Sequence, residues 1–265
     1  MAKGGAVPNR LIAGQDTKLS RTMHDIRYDE VHDEFLVTNP FAQAILVFPG
    51  GSNGNQAPIR IIQGPNTDLG QADRLEVDPI HDEIFIPNGN RILVYSRKAN
   101  GDVAPIRVIK GPDTMLRGGT AAAVDPIHNL LVVGLGGSGR RGPNGLGALL
   151  IFNRTDNGNV KPLRVIKGPK SGIIRINQMA AYPARKLIAA TQPGEADDAE
   201  PEGVYVGVWS MDDNGDVPPL WKINGNSKTG MKKPRGVVLD PKNKEMIIAD
   251  MRMNAIFTFY LPEMF

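Results

Sequence analysis

The stretch LEVDPIHDEIFIPNGNRILVYSRKANGDVAPIRVIKG, residues 75–111, contains four short apolar runs separated by turn residues. The first run ends at an Asp-Pro turn, and the second follows at once. The third and fourth runs are separated by Asn100-Gly101, a pair that predicts a type I′ hairpin turn with positive φ at both residues. The stretch is therefore typical of four antiparallel strands.

Copies of these runs recur along the chain. The first run has four further copies: IRYDEVHDE (26–34), AAVDPIHNL (122–130), AAYPARKL (180–187) and VVLDPKNKE (237–245). The fourth run also has four: VPNRLIAG (7–14), APIRIIQG (57–64), KPLRVIKG (161–168) and PPLWKING (218–225). Four-stranded units repeated at this spacing predict a β-propeller, and both counts give five blades.

The two ends of the chain complement each other. The last unit stops at AIFTFYLPEMF (255–265), where its fourth run is missing, and residues 7–14 are a fourth run without the preceding three. We expect these ends to pair and close the propeller, because pairing removes two exposed sheet edges. A single domain is predicted, with blades at 22–67, 72–114, 119–170, 175–229, and 234–265 completed by 7–17.

Composition excludes several classes of protein. The 265 residues include no cysteine, so disulfides, thiolate metal sites and cysteine nucleophiles are excluded. The sequence contains no apolar run long enough to span a membrane. The N-terminus has no apolar signal-peptide segment, which leaves open a cytosolic protein or a mature secreted or periplasmic domain. A net charge of +3 with few aromatic residues disfavours nucleic acid as a partner.

One unit carries a family resemblance. RGVVLDPKNKEMIIADMRMNAIFTF (235–259) resembles the NHL repeat, and the other units are similar to NHL-like and lactonase-type propellers. The resemblance implies a propeller fold. It does not imply one activity, because the group includes protein- and RNA-binding modules, calcium-dependent lactonases, amidating lyases and scaffolds.

Oxygen-bearing side chains at the ends of the second strands form a candidate metal site. These residues are Asn39, Asn88, Gln192 and Asp250, and Gly134 fills the fifth equivalent position. Calcium takes carboxylate and amide oxygens as ligands, and the calcium-dependent lactonases use a Glu/Asn/Asp set around the propeller axis. We therefore expect Asn39, Asn88 and Asp250 to be candidate Ca²⁺ ligands. The alternative is that the protein binds no cofactor.

Charged and amide side chains in or near the first strands predict a ligand site at the channel mouth. They are Arg27, Asp73, Arg74, Glu76, Asn177, Gln178 and Arg235. His24 and Asp25 precede the first of these strands and are the candidates for proton transfer. A hydrogen-bonded, water-filled channel without a ligand is the alternative. His32, His81 and His128 recur in the first-strand turns, where we expect each to bond locally.

The loops predict which end of the blades carries function. The turns between strands 1 and 2 are short and uniform, whereas the loops between strands 2 and 3 vary. They include a glycine-rich loop (134–147) with Arg140 and Arg141, and an acidic loop with Glu195, Asp197, Asp198, Glu200 and Glu202. No familiar catalytic motif is present. The sequence favours a non-enzymatic module that uses these loops to bind a protein or small molecule; a calcium-dependent, lactonase-like hydrolase is the alternative.

Overall fold

The computed structural model describes residues 7–136, 147–194 and 203–265. These residues form five antiparallel sheets, one after another along the chain, and the fold is a five-bladed β-propeller. The all-β, five-bladed prediction is thus confirmed. Helical structure in the described ranges is confined to four 3-10 turns: Gln15–Thr17, Pro65–Thr67, Pro112–Thr114 and Pro183–Arg185.

Each blade is built from strands that are consecutive in sequence. The first contains β1 (Ile26–Asp29), β2 (Glu34–Asn39), β3 (Ala44–Pro49) and β4 (Arg60–Gln63). The second contains β5 (Glu76–Asp78), β6 (Glu83–Asn88), β7 (Arg91–Ser96) and β8 (Arg107–Lys110). The third contains β9 (Gly119–Asp125), β10 (Leu130–Leu135), β11 (Ala148–Asn153) and β12 (Arg164–Ile166). The fourth contains β13 (Met179–Tyr182), β14 (Leu187–Pro193), β15 (Val204–Ser210) and β16 (Trp221–Asn224). The fifth contains β17 (Pro234–Asp240), β18 (Glu245–Asp250) and β19 (Ala255–Tyr260).

The chain divides into two compact units, Met1–Phe85 with Val94–Ile106, and Ile86–Leu93 with Arg107–Phe265. In the first unit, Val37, Leu46 and Phe48 form an apolar core in which the Phe35 and Phe48 rings stack at 5.1 Å. In the second unit, the third and fourth blades share a core that includes the fully buried Trp209. Strands β3, β10 and β11 are buried along nearly their whole length, so both of their faces are apolar.

The first-strand turns are held by an Asp and a His three residues later. In the second blade, Asp78 Oδ1 accepts the backbone N–H groups of Ile80 and His81, both at 3.0 Å. Asp78 Oδ2 lies 2.8 Å from His81 Nδ1, and the same contact joins Asp29 to His32 and Asp125 to His128. The local structural role expected for the three histidines is therefore confirmed.

Each Asn-Gly pair binds a fourth-strand run that lies earlier in the chain. In the first unit, Asn100 Oδ1 accepts the N–H of Ile61 at 2.9 Å, and Gly101 exchanges backbone hydrogen bonds with Ile61 and Gln63. We call this contact the blade clasp; it recurs at Asn53-Gly54, Asn157-Gly158 and Asn214-Gly215. The type I′ prediction was wrong, since only the glycines of these pairs have positive φ. The asparagine side chain binds a backbone N–H that lies 39 to 49 residues earlier in the chain instead of closing a tight hairpin.

A glycine ends each clasped fourth strand. Gly14, Gly64, Gly111 and Gly168 have φ between 125° and 138°. A Cβ on Gly64 would lie 2.3 Å from the carboxylate of Asp102, so a larger residue would clash as well as strain the backbone. Gly225 ends the fourth blade without positive φ, so the backbone requirement expected there is absent.

The N-terminal segment makes the contacts of a fourth strand. The N–H of Leu11 donates to Asn53 Oδ1 at 2.9 Å, and Ala13 bonds to Gly54. In the described ranges, one isolated β-bridge joins this segment to the first blade, between Ile12 and Gly54. The fifth sheet has three strands in those ranges. The segment therefore occupies a clasp on the first blade, while its pairing with the last blade stays a prediction.

Candidate functional site

Polar side chains from the starts of β1 and β5 meet in the first unit. His24 and Asp25 directly precede β1, and Asp73 and Arg74 precede β5. Ile26 pairs with Val37, which places the start of β1 beside the end of β2. The ligand site that the sequence suggested for these residues stays a prediction.

The inner part of this cluster is a buried group of three charges. Arg27 donates to Asp25 Oδ1 at 3.1 Å and to Glu76 Oε2 at 3.3 Å. The Arg27 side chain is 17% exposed and the Asp25 side chain 4%. The second oxygen of Asp25 accepts the N–H of Leu75 at 3.1 Å, which joins the two first strands. One guanidinium thus serves two carboxylates that water hardly reaches.

Burial controls the ionisation of this group. Desolvation raises the pKa of Asp25 above its usual value, although Arg27 and Arg74 act in the opposite direction. Desolvation likewise raises the pKa of Glu76, and the attraction of Arg27 offsets only part of that rise. For Arg27, burial acts to lower the pKa, but Glu76 and Asp25 outweigh it and the pKa is raised. The guanidinium stays charged, whereas the carboxyls are more easily protonated than usual.

The outer part of the cluster is open to solvent. His24 Nδ1 lies 2.6 Å from Asp73 Oδ1, with 39% and 59% of the two side chains exposed. Arg74 donates to the backbone oxygens of His24 at 3.0 Å and Asp73 at 3.1 Å. The pair can therefore hydrogen-bond a bound molecule while Arg74 holds its backbone in place.

Thr38 is a member of this cluster that was not predicted from the sequence. It is fully buried, its hydroxyl accepts the N–H of Asp25 at 3.0 Å, and the oxygen of Asp73 lies 3.4 Å away. Thr191 makes the same kind of contact with Gln178 in the fourth blade. The available signal was a Thr preceding Asn39 in β2 and Gln192 in β14.

Three of the predicted ligand residues lie in the second unit. Asn177 and Gln178 precede β13, where their backbone N–H groups bond to Thr191 at 3.2 Å and 3.0 Å. Arg235 lies in β17, beside Gly236. A Cβ on Gly236 would come within 3.0 Å of Gln178 Oε1, so the backbone of β17 passes close to the Gln178 side chain. Gln178 and the Arg235 region are neighbours in this unit.

Side chains at the ends of the second strands, which the sequence suggested as metal ligands, bind the segments that lead into their own blades. Asp250 Oδ2 accepts the N–H groups of Lys232 and Lys233, both at 2.7 Å. Asp250 Oδ1 accepts those of Arg252 at 2.9 Å and Met253 at 3.0 Å. All four donors are backbone N–H groups, and together they use the four acceptor positions of the carboxylate.

Asn39 and Gln192 have corresponding contacts. Asn39 donates to the oxygen of Lys18 at 3.1 Å and accepts from the hydroxyl of Ser20 at 3.0 Å. Gln192 Oε1 accepts the N–H groups of Ile174 and Arg175 at 3.2 Å and 3.1 Å. A chain-anchoring role at these positions was not foreseen from the sequence, because the partners lie 17 to 21 residues away.

The third predicted ligand, Asn88, lines a cavity together with Arg91 and Lys110. Within the described ranges, no group of three or more His, Asp or Glu side chains is arranged to hold a metal ion. The predictions for Arg140, Arg141 and the five acidic residues between 195 and 202 fall outside those ranges.

Comparison with protein-family models and with curated proteins gave no match. The resemblance to NHL-repeat and lactonase-type propellers is therefore supported at the level of the five-bladed architecture alone. In the part of the chain that the structure describes, no helix has the length and apolar character needed to cross a membrane.

Proposed function

We propose that this protein is a non-enzymatic binding module, and that the loop end of its first blade contacts a protein partner. The observation that carries the proposal is Phe41, whose ring projects from the β2–β3 loop with 67% of the residue exposed. Aromatic side chains are enriched at protein interfaces, where a few of them supply most of the binding energy.

The exposed polar pair lies at the same end of this blade. Phe41 follows β2 by two residues, and His24 precedes β1, which pairs with β2 in antiparallel register. The link from Lys18 to Ser20 is fixed to this end by Asn39. An apolar anchor with hydrogen-bonding groups nearby is the combination that a polar-rimmed interface requires.

Photocrosslinking tests this proposal because it captures whichever protein contacts the ring. A photoreactive phenylalanine analogue placed at Phe41 should crosslink a defined protein in extracts of the native host. The matched control is Val31, which is 61% exposed in the β1–β2 turn at the other end of the same blade. The partner recovered from position 41 should be absent at position 31, and Phe41→Ala should weaken its binding by about tenfold or more. Equal labelling at both positions, or binding unaffected by Phe41→Ala, would contradict the proposal.

A hydrolase remains the second candidate because of the exposed His24–Asp73 contact at 2.6 Å. A histidine held by a carboxylate is suited to proton transfer to or from a bound substrate or water. A panel of lactones and esters, assayed with and without Ca²⁺, tests this candidate. Turnover that His24→Ala removes and Phe41→Ala leaves intact would favour the hydrolase over the binding module.

A further inference from the structure

A cavity at the loop end of the second blade has a positively charged lining. It has a volume of about 610 Å³ and is lined by Asn88, Asn90, Arg91, Lys110 and Gly111. Ligand pockets in proteins span roughly 300–1,000 Å³, so a small metabolite fits. All five residues belong to the second compact unit.

The ends of three strands position this lining. Asn88 ends β6, Arg91 begins β7 and Lys110 ends β8. Asn90 Oδ1 accepts the N–H of Gly118 at 3.0 Å, which fixes the orientation of this amide. Gly111 contributes only backbone atoms to the lining. The lining therefore combines a guanidinium, an ammonium and an oriented amide on a rigid base.

The charges select the sign of the ligand. Asn88 carries an amide oxygen, and Arg91 and Lys110 place two positive charges around the same space. Among the described residues that line the cavity there is no carboxylate. A Ca²⁺ ion, which prefers several oxygens and at least one carboxylate, is repelled there. Arg and Lys both form charge-assisted hydrogen bonds to phosphate and carboxylate oxygens.

We propose that this cavity binds a small molecule through an oxyanion group, a phosphate or a carboxylate. Arg91 and Lys110 contact the anionic oxygens, and the amides of Asn88 and Asn90 orient the rest of the ligand. This site goes beyond the proposed binding of a protein at the first blade. It uses other residues, so either proposal can fail without the other.

Calorimetric titration of the full chain at low ionic strength tests the site. Three probes separate the possible groups: inorganic phosphate, glucose 6-phosphate and citrate, with sodium chloride at matched ionic strength as the blank. Saturable binding of at least one probe is expected, and about 0.3 M salt should weaken it because an open site is screened.

The chain supplies a matched control for the charge. Lys167 precedes Gly168 as Lys110 precedes Gly111, and both lysines donate a backbone hydrogen bond of 3.0 Å to the glycine of a clasp. Arg91→Gln and Lys110→Gln should each weaken the bound probe by about tenfold or more, whereas Lys167→Gln should change its affinity less than about twofold. Melting curves confirm that each variant is folded. Binding that is non-saturable, or equally sensitive to Lys167→Gln, would overturn the proposal.

Discussion

Asn55 and Asp16 form a reciprocal contact that fixes the N-terminal segment to the first blade. Asn55 Oδ1 accepts the Asp16 N–H at 2.9 Å, and its NH₂ group donates to Asp16 Oδ2 at 2.7 Å. Asn159 and Asp113 repeat both bonds in the second unit, each at 2.9 Å. The segment is therefore held as an ordinary fourth strand would be.

Removing this clasp should release one edge of the segment. In the variant Asn53→Ala/Asn55→Ala, amide exchange at Leu11 and Ala13 should accelerate, because each lost bond contributes about 1 kcal/mol. The amides of Arg10 and Ile12 point to the opposite side, since successive residues of an extended chain alternate. If they remain protected, the segment pairs with a second strand, as the sequence predicts. If all four exchange rapidly, the clasp is its sole attachment.

Replacing Arg27 with methionine should destabilise the protein more at pH 7 than at pH 4. The folded-state pKa values of Asp25 and Glu76 lie above the ordinary pKa values of these groups. Protonation of the two carboxyls therefore stabilises the folded protein at low pH, and this contribution is lost as the pH rises through the folded-state pKa values. Without Arg27, two carboxylates stay charged and buried at pH 7, at a cost of about 3 kcal/mol. Urea unfolding at both pH values measures the difference. Arg21→Met, at an exposed position in the segment that precedes β1, should have an effect below about 0.5 kcal/mol. An equal loss for Arg27→Met at both pH values would contradict this account.

The role of Asp250 can be tested by substitution and metal addition together. Asp250→Ala leaves four backbone N–H groups without their acceptor and should lower the free energy of unfolding by about 3 kcal/mol. Because the lost bonds are internal, this loss should be the same with or without Ca²⁺. A rise in the melting temperature of the wild type with Ca²⁺, absent from Asp250→Ala, would instead support the ligand role that the sequence suggested.

The fifth blade predicts a tolerated substitution in the second. Asn243 takes the place of the histidine in its turn, donating to Asp240 Oδ2 at 2.7 Å. His81→Asn should therefore retain nearly full stability, whereas His81→Ala should lose about 1 kcal/mol. Thermal unfolding of the two variants decides the matter, and equal losses would show that the ring contact with Asp78 contributes nothing.

The fold could be predicted because the residue pairs that mark the ends of its strands are visible in short stretches of sequence. Asp78-Pro79 and Asn100-Gly101 mark the ends of strands that recur, so counting them gave the blades. What Asn100 does with its side chain could not be predicted, since its partner Ile61 lies 39 residues earlier. The same limit hid two contacts of Asp250, because its partners Lys232 and Lys233 lie 18 and 17 residues earlier in the chain.

The candidate site shows the same division. Arg27 and Glu76 lie in first strands of neighbouring blades, so repeat alignment was enough to expect them together. Thr38 was missed because a buried Thr in a strand resembles a core residue until its partners are known. Phe41 was missed because exposure of one loop aromatic depends on how its own blade packs.

The blade clasp has a consequence for the order of events during synthesis. Each clasped fourth strand is secured by a turn that lies 39 to 49 residues further along the chain. At roughly 5–20 residues per second, a ribosome delivers that turn about 2–10 seconds later. Each of these fourth-strand runs therefore lacks its clasp hydrogen bonds until the next blade has been synthesised. Folding should follow translation with a delay of about one blade.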